Sequence, residues 1–313
     1  MMISVEQYRS VMAPEWNEFI ARSRNGTFLL DRRYMDYHSA RFTDHSLLLR
    51  DGDGRLLGLL PANVQDDALA SHGGLTYAGL VVAPKTGVLQ VLGMLAAVRA
   101  SLRDAGLRRL LYKTIPAIYH RAPSEDDRYA LHVEGAALTR RDVLSVVARG
   151  DRPAYQERRA RGIKSARKDG VVIAEDPAAL AGFWEILAET LATRHTAAPV
   201  HSLQEILLLQ ARFPEAIRLF TARHGGAVVA GAVVYETDRV AHVQYIAAND
   251  AGRRLRALDL LFHVLLAEIY VDKPWFDFGI SNERSGELNN GLVEQKEGFG
   301  ARVVVHDHYE LTA

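Results

Sequence analysis

The stretch FDFGISNERSGELNNGLVEQKEGFGAR, residues 276–302, decides the fold. With Trp275 before it, the segment opens as an aromatic strand running to Ile280. It then turns polar at Asn282, Glu283, Arg284 and Glu287, reads as a helix from Glu287 to Lys296, and closes on Lys296-Glu-Gly-Phe-Gly300. A last strand is expected from Ala301 to Tyr309. Asp277 stands inside the aromatic strand. A buried carboxylate must be hydrogen-bonded or change its protonation, because desolvation disfavours its charge. It is therefore either a structural hydrogen-bonding group or part of a cleft.

The elements upstream of this stretch have a matching order in both halves of the chain. Leu47–Leu60 reads as two apolar strands around an Asp/Gly turn, and Arg218–Glu236 as a hairpin around His224-Gly-Gly226. Each is followed by a strand with a tyrosine (Gly73–Val82 with Tyr77; Val240–Ala247 with Tyr245). Next come an apolar helix (Val88–Ala105; Ala257–Val271) and a buried strand (Leu107–Ile115; Trp275–Ile280). Tyr77 with Tyr245, and Tyr112 with Asp277, fall at nearly the same offset, as an internal duplication would leave them. Two further helices precede the second hairpin, Pro177–Arg194 and Ser202–Phe213, the latter opened by a Ser202/Glu205 capping box. Between the halves lies a basic run from Tyr155 to Asp169. It is either a solvated helix packing Ile163 and Ala166, or a clamp for a phosphorylated substrate.

The 313 residues suit two medium domains, here 1–150 and 151–313. Lys plus Arg and Asp plus Glu both total 38, so no global charge favours nucleic acid or an anionic membrane. The chain has no cysteine, which excludes disulfides, thiolate metal sites and a cysteine nucleophile. No apolar run reaches the ~20 residues of a membrane span. The first residues lack the basic and apolar regions of a signal peptide. The expectation is a cytoplasmic protein. Neither a Gly-x-Ser-x-Gly elbow nor a His-Glu-x-x-His pattern occurs, and no metal is expected from the histidine spacing.

The order hairpin, strand, helix, strand, with Asn289 or Asn290 before a short helix and Lys296-Glu-Gly-Phe299 after it, resembles the GNAT superfamily of N-acetyltransferases. Two copies, a basic linker and the terminal Gln-Lys-Glu-Gly-Phe-Gly resemble its Fem-type branch. The resemblance implies an α/β fold, with a mixed sheet in each of two tandem GNAT-like domains. It implies acyl-CoA as co-substrate and, as acceptor, a nucleotide-linked deoxy amino sugar of O-antigen or other surface polysaccharide synthesis. The alternatives are Fem-type transfer from aminoacyl-tRNA and a non-catalytic GNAT-like binding module. A homo-oligomer is possible, because a sheet edge can be covered by another subunit.

The same resemblance supplies roles. The first domain would support the acceptor and the second would bind the donor. Asp277, at the strand end lining the family's cleft, is the leading catalytic candidate. His242 and Gln244 lie on the strand before the donor turn, on one face in period two; His242 is a candidate base and Gln244 a substrate contact. His201 opens the second helix and is a third catalytic candidate. The donor turn maps to Asn249–Ala257, with Gly252, Arg253, Arg254, Arg256 and Ala257 as candidate phosphate-binding residues. The family's second glycine is missing there, and Glu294 stands where many members have a tyrosine acid. Tyr112, Lys113, His120, Asn282 and Glu283 complete the candidate substrate contacts.

Overall fold

In the computed structural model, which describes residues 3–195 and 197–313, the chain forms two compact units. One comprises 1–142 with 305–313, and the other 143–304. The division falls inside two strands rather than at residue 150.

The first unit contains β1 (Ser4–Gln7), α1 (Ala13–Arg22), α2 (Arg32–Met35), β2 (Thr43–Asp44), β3 (Leu47–Arg50), β4 (Leu56–Leu60), β5 (Asn63–Gln65), β6 (Ala68–Ala70), β7 (Val81–Val82), α3 (Val88–Asp104), β8 (Arg109–Lys113) and α4 (Asp126–Val133). The expected 47–60 hairpin is β3 and β4, paired from Leu47↔Leu60. The expected strand over 73–82 shrinks to Val81–Val82. The Gly-rich 73–79 segment forms no ladder, because its polar groups turn inward: the Gly73 amide donates to Asn63 Oδ1. The core of this unit packs α3 onto β4 and β8 through Val91, Met94, Leu95, Leu57 and Leu110.

Strand β9 (Ala137–Ala148) leads into the second unit, which contains α5 (Glu157–Lys168), β10 (Val172–Glu175), α6 (Leu180–His195), α7 (Leu203–Arg212), β11 (Ile217–His224), β12 (Ala227–Glu236), β13 (Val240–Ala248), α8 (Asp250–Arg254), α9 (Ala257–Val264), β14 (Trp275–Ile280) and α10 (Asn290–Glu297). Strand β15 (Arg302–Thr312) returns to the first unit, where His308–Thr312 pair with β8. Within the second unit the strand order is β10-β11-β12-β13-β14-β9, antiparallel except for β13 with β14. The hairpin turn between β11 and β12 is Gly225-Gly226, both at positive φ (57° and 82°), as a two-residue turn of the right twist requires. The capping box of α7 is formed as expected, Ser202 with Glu205. The helix expected over 257–271 is α only to Val264 and continues as a π-type turn over Leu265–Ile269.

The feature that positions the site is a splay. Strands β13 and β14 pair through Val240↔Trp275, Ala241↔Phe276 and His242↔Asp277, and then separate. The sequence supplies the cause. The Gly279 amide donates to Asp277 Oδ1 at 2.7 Å instead of to a neighbouring strand. Gly279 has φ of 77°, a conformation glycine adopts without a Cβ penalty. Lys296 Nζ then donates to the carbonyls of Gly279 (2.9 Å) and Ile280 (2.7 Å) and to Ser281 Oγ (3.0 Å). The end of β14 therefore spends its hydrogen bonds on its own side chain and on α10.

Candidate active site

The opened wedge is lined by β13, α8, α9, β14 and α10, and encloses a cavity of about 370 Å³. Its walls are mainly apolar: Val243, Ile246, Leu258, Phe262, Phe278, Leu292 and Phe299, with Thr190, Arg253, Gln295 and Lys296 as the polar members. Aromatic packing holds the floor, Phe262 edge-on to Phe278 at 5.0 Å and Phe278 stacked on Phe299 at 5.8 Å. The Gly-Phe tail of the sequence thus contributes Phe299 to this wall.

At the apex, where pairing ends, Asp277 and His242 meet. Asp277 is buried, with Oδ1 taking the Gly279 amide and Oδ2 facing His242 Nδ1 at 2.9 Å. When the Asp277 carboxylate is ionised it accepts from Nδ1–H, which leaves the lone pair on Nε2. Among the described residues, no hydrogen bond reaches His242 Nε2. A hydrogen-bonded carboxylate that orients an imidazole is the arrangement of a general base.

Gln244 follows, but period two does not carry it onto the His242 face. The register slips at a bulge, Val234↔Val243 and then Val233↔Tyr245, leaving Gln244 unpaired on β13. Its Oε1 is buried, with no hydrogen-bond partner among the described residues. His201 stands in the loop before α7, and its Nδ1 shares a hydrogen bond with the hydroxyl of Tyr245 on β13, beside Trp184.

Lys296 was legible only as part of a tail motif, and the structure gives it a place. It is buried in the cavity wall, and burial pushes its ammonium down to about 8, against the opposing pull of the Asp277 charge. Sequence periodicity held no signal for this, since Lys296 sits on a short polar helix.

The donor turn is folded differently from its expectation. Residues 250–254 form the short α8, capped by the Asn249 side chain, which accepts from the Gly252 amide at 2.9 Å. Gly252 is glycine for packing, since a Cβ there would lie 2.1 Å from the Val229 carbonyl oxygen. The Arg253 guanidinium is tied to the Ala248 carbonyl and the Asp250 carboxylate. Arg256 is left-handed (φ 53°) at the start of α9, Ala257 is buried, and the side chains of Arg254 and Arg256 are exposed. The first turn of α9 carries Asp259, buried and ion-paired with Arg159 of α5 at 2.6 Å. The Gly252 amide is thus satisfied within the turn, and the Asp259 carboxylate is directed onto α5.

The basic run is α5. Ile163 and Ala166 pack against Ala257 and Leu260, as the solvated-helix reading expected, while Arg159 goes inward to Asp259. Asn282 is consumed by its loop, accepting from the Val143 amide and donating to the Gly286 carbonyl. The Glu283 carboxylate accepts from Asn289.

In the first unit, the Tyr112 hydroxyl donates to Asp127 and accepts from the Leu80 amide. Burial raises the Asp127 carboxyl to about 6. Lys113 donates to the Leu75 carbonyl and is pushed down to about 8 by burial. Tyr112 and Lys113 line a cavity of about 310 Å³ with Arg140 and His308; His120 instead bonds the Ile115 carbonyl. Among the described residues no group of His, Asp or Glu is arranged to hold a metal ion, and no helix is long and apolar enough to cross a membrane.

Comparison with known proteins bears on this geometry. Residues 155–285 match the acetyltransferase (GNAT) domain family. No curated protein matches the sequence. Among solved structures, the chain is similar to FemX (11% identity, 96% of each chain covered, TM-score 0.68). It is also similar to L-PGS from Bacillus licheniformis (12%, 95% of this chain and 90% of that one, 0.62). A tandem GNAT protein from the clavulanic acid biosynthesis pathway superposes at 0.51, with 15% identity over 99% of this chain and 98% of that one. At such identities the likeness is one of fold. The chain has a mixed α/β, GNAT-like fold, and its residues 155–285 are similar to the acetyltransferase (GNAT) domain.

Proposed function

We propose that this protein is an N-acyltransferase that moves an acyl group, acetyl or a short hydroxyacyl such as 3-hydroxybutanoyl, from a thioester to the amino group of a nucleotide-linked deoxy amino sugar for surface polysaccharide. The observation that carries this reading is the Asp277–His242 pair at the last paired position of β13 and β14, where the two strands part. His242 Nε2 takes a proton from the acceptor amine as nitrogen attacks the thioester carbonyl. The C–N bond forms, the C–S bond breaks, and the imidazolium returns the proton to the leaving thiolate. Asp277 stays ionised, fixes the tautomer and steadies the imidazolium. The ternary step needs no enzyme nucleophile.

The sugar acceptor rests on the resemblance of element order. Fem-type transfer from aminoacyl-tRNA is the second reading. The likeness to FemX favours it as a fold. Against it, the charged groups that line the wedge among the described residues are Arg253 and Lys296, cations that repel an aminoacyl ammonium. The test is thiol release from a panel of acyl thioesters with 3-amino and 4-amino nucleotide sugars. Release that depends on one sugar, with the matching mass gain on it, supports the reading. No release with any pair, and turnover with charged tRNA, replaces it with the second. No turnover with either, and no thermal shift, leaves a binding module.

A further inference from the structure

Strand β8 of the first unit has two unlike faces. Leu110 and Tyr112 enter the core with α3, while Leu111 and Lys113 alternate to the other side. His308 of β15 is paired directly opposite Lys113. Residues directly opposite on antiparallel strands share a face, so the ammonium and the imidazole are neighbours there. With Ser71, Thr139 and Arg140 they line a cavity of about 310 Å³, within the size range of small-molecule sites.

The charges on this wall do not cancel. Arg140 is offset by Asp142, whose two carboxylate oxygens each accept from its Nε at 2.9 Å, and His308 Nε2 lies 3.5 Å from the same carboxylate. Burial first, and the Lys113 charge with it, hold His308 below its ordinary pKa, so the imidazole is neutral at pH 7. Burial and the same ammonium also lower His306, to about 4, and His72, to about 3. Lys113 itself has no counter-charge. Its Nζ donates to the Leu75 carbonyl at 2.5 Å, and among the described residues no carboxylate pairs with it and no acceptor meets its other two N–H groups. A desolvated ammonium on a cavity wall is costly until an anion meets it. With Arg140 offset and His308 neutral, one positive charge remains on this wall, and one negative charge balances it.

We propose that this cavity is a binding site for a small ligand bearing a monoanionic oxyanion, a carboxylate or a phosphodiester, held by the two remaining N–H groups of Lys113. The site is built within the first unit and does not rest on the acyl-transfer reading.

The test is an NMR titration of the full chain, labelled at lysine Cε and histidine Cε1, at pH 7 and constant ionic strength. The probes are acetate, dimethyl phosphate, sulfate and neutral acetamide. Saturable shifts at Lys113 and His308 are expected with acetate or dimethyl phosphate, with Kd on the order of millimolar, and none with acetamide. The monoanion that saturates first identifies the ligand as carboxylate or phosphodiester. Bound anion favours the charged amine, so the titration midpoint of Lys113 moves up from about 8. Lys113→Met should weaken the effect on His308 at least about tenfold, Lys113→Arg should retain it, and Lys85→Met, exposed in the same unit, should leave it unchanged. The midpoint is read on the parent chain, so it decides the matter even if Lys113→Met does not fold. An unmoved midpoint, shifts as large with acetamide, or binding retained by a folded Lys113→Met protein overturns the proposal. Sulfate binding more than about tenfold tighter than either monoanion overturns the charge count on which it stands.

Discussion

Asp277 is buried because it has two fixed partners, the Gly279 amide and His242 Nδ1. Asp277→Asn keeps the shape but lets an amide donate to Nδ1, which turns the imidazole lone pair inward. Turnover is expected to fall about 10²-fold or more while Tm moves little. His242→Gln should lose a similar factor, and the double variant little more, because the two act as one unit. Full turnover by a folded Asp277→Asn protein would remove this role. Lys296 makes a separate prediction. Its folded pKa, about 8, lies below the ordinary 10.5. Between those values the unfolded chain binds more protons, so this group's contribution to stability rises with pH across that window. Lys113 acts in the same direction, also at about 8. Urea unfolding of Lys296→Met between pH 8 and 10 should show about half the upward slope of the parent; an unchanged slope would mean Lys296 is not desolvated as described.

At the scale of elements, the splay of β13 from β14 is made by Asp277, Gly279 and one lysine. Asp277 captures the Gly279 amide, Gly279 turns, and Lys296 holds the two carbonyls that a ladder would have used. Gly279→Ala tests this. The left-handed backbone costs a side chain about 1–2 kcal/mol, and the new Cβ would sit 3.3 Å from His242 Cε1. The variant should lose several degrees of Tm and a larger share of turnover than of stability, because relief of strain moves β14 toward the imidazole. Equal Tm and equal turnover would show that the turn does not position the pair. The 257–271 helix illustrates the reverse: apolar spacing announced one helix, and the chain made α9 and a π-type turn, since periodicity does not report which carbonyl each amide selects.

At the scale of the molecule, sequence order and compact units do not coincide. Residues 305–313 close the first unit: His308–Thr312 pair with β8, Leu311 enters its core, and Asp307 joins Arg128 and Arg141. A chain ending at residue 304 should therefore damage the first unit, although the cut lies at the far end of the sequence. The expected result is a lost or strongly lowered first unfolding transition in urea, with Arg128 and Arg141 left without their buried carboxylate. Cutting there without effect on unfolding would argue that β15 is an accessory strand.

How much was legible follows from these cases. The strand at 275–280, the Gly-Gly hairpin, the capping box of α7 and the helical run at 157–168 each rest on local chemistry, namely periodicity, turn residues and caps, and each stands where the sequence placed it. The sequence also marked Asp277 and His242 one by one, because a carboxylate in an aromatic strand and a histidine among small apolar residues are locally costly. Their union at 2.9 Å needed the parallel register of β13 on β14, which joins residues 35 positions apart. The bulge that leaves Gln244 unpaired, the pairing of His201 with Tyr245, the Asn249 cap on Gly252 and the Asp259–Arg159 pair were likewise decided by tertiary structure. A linear pattern states what each residue prefers; only the folded chain settles which partner satisfies it.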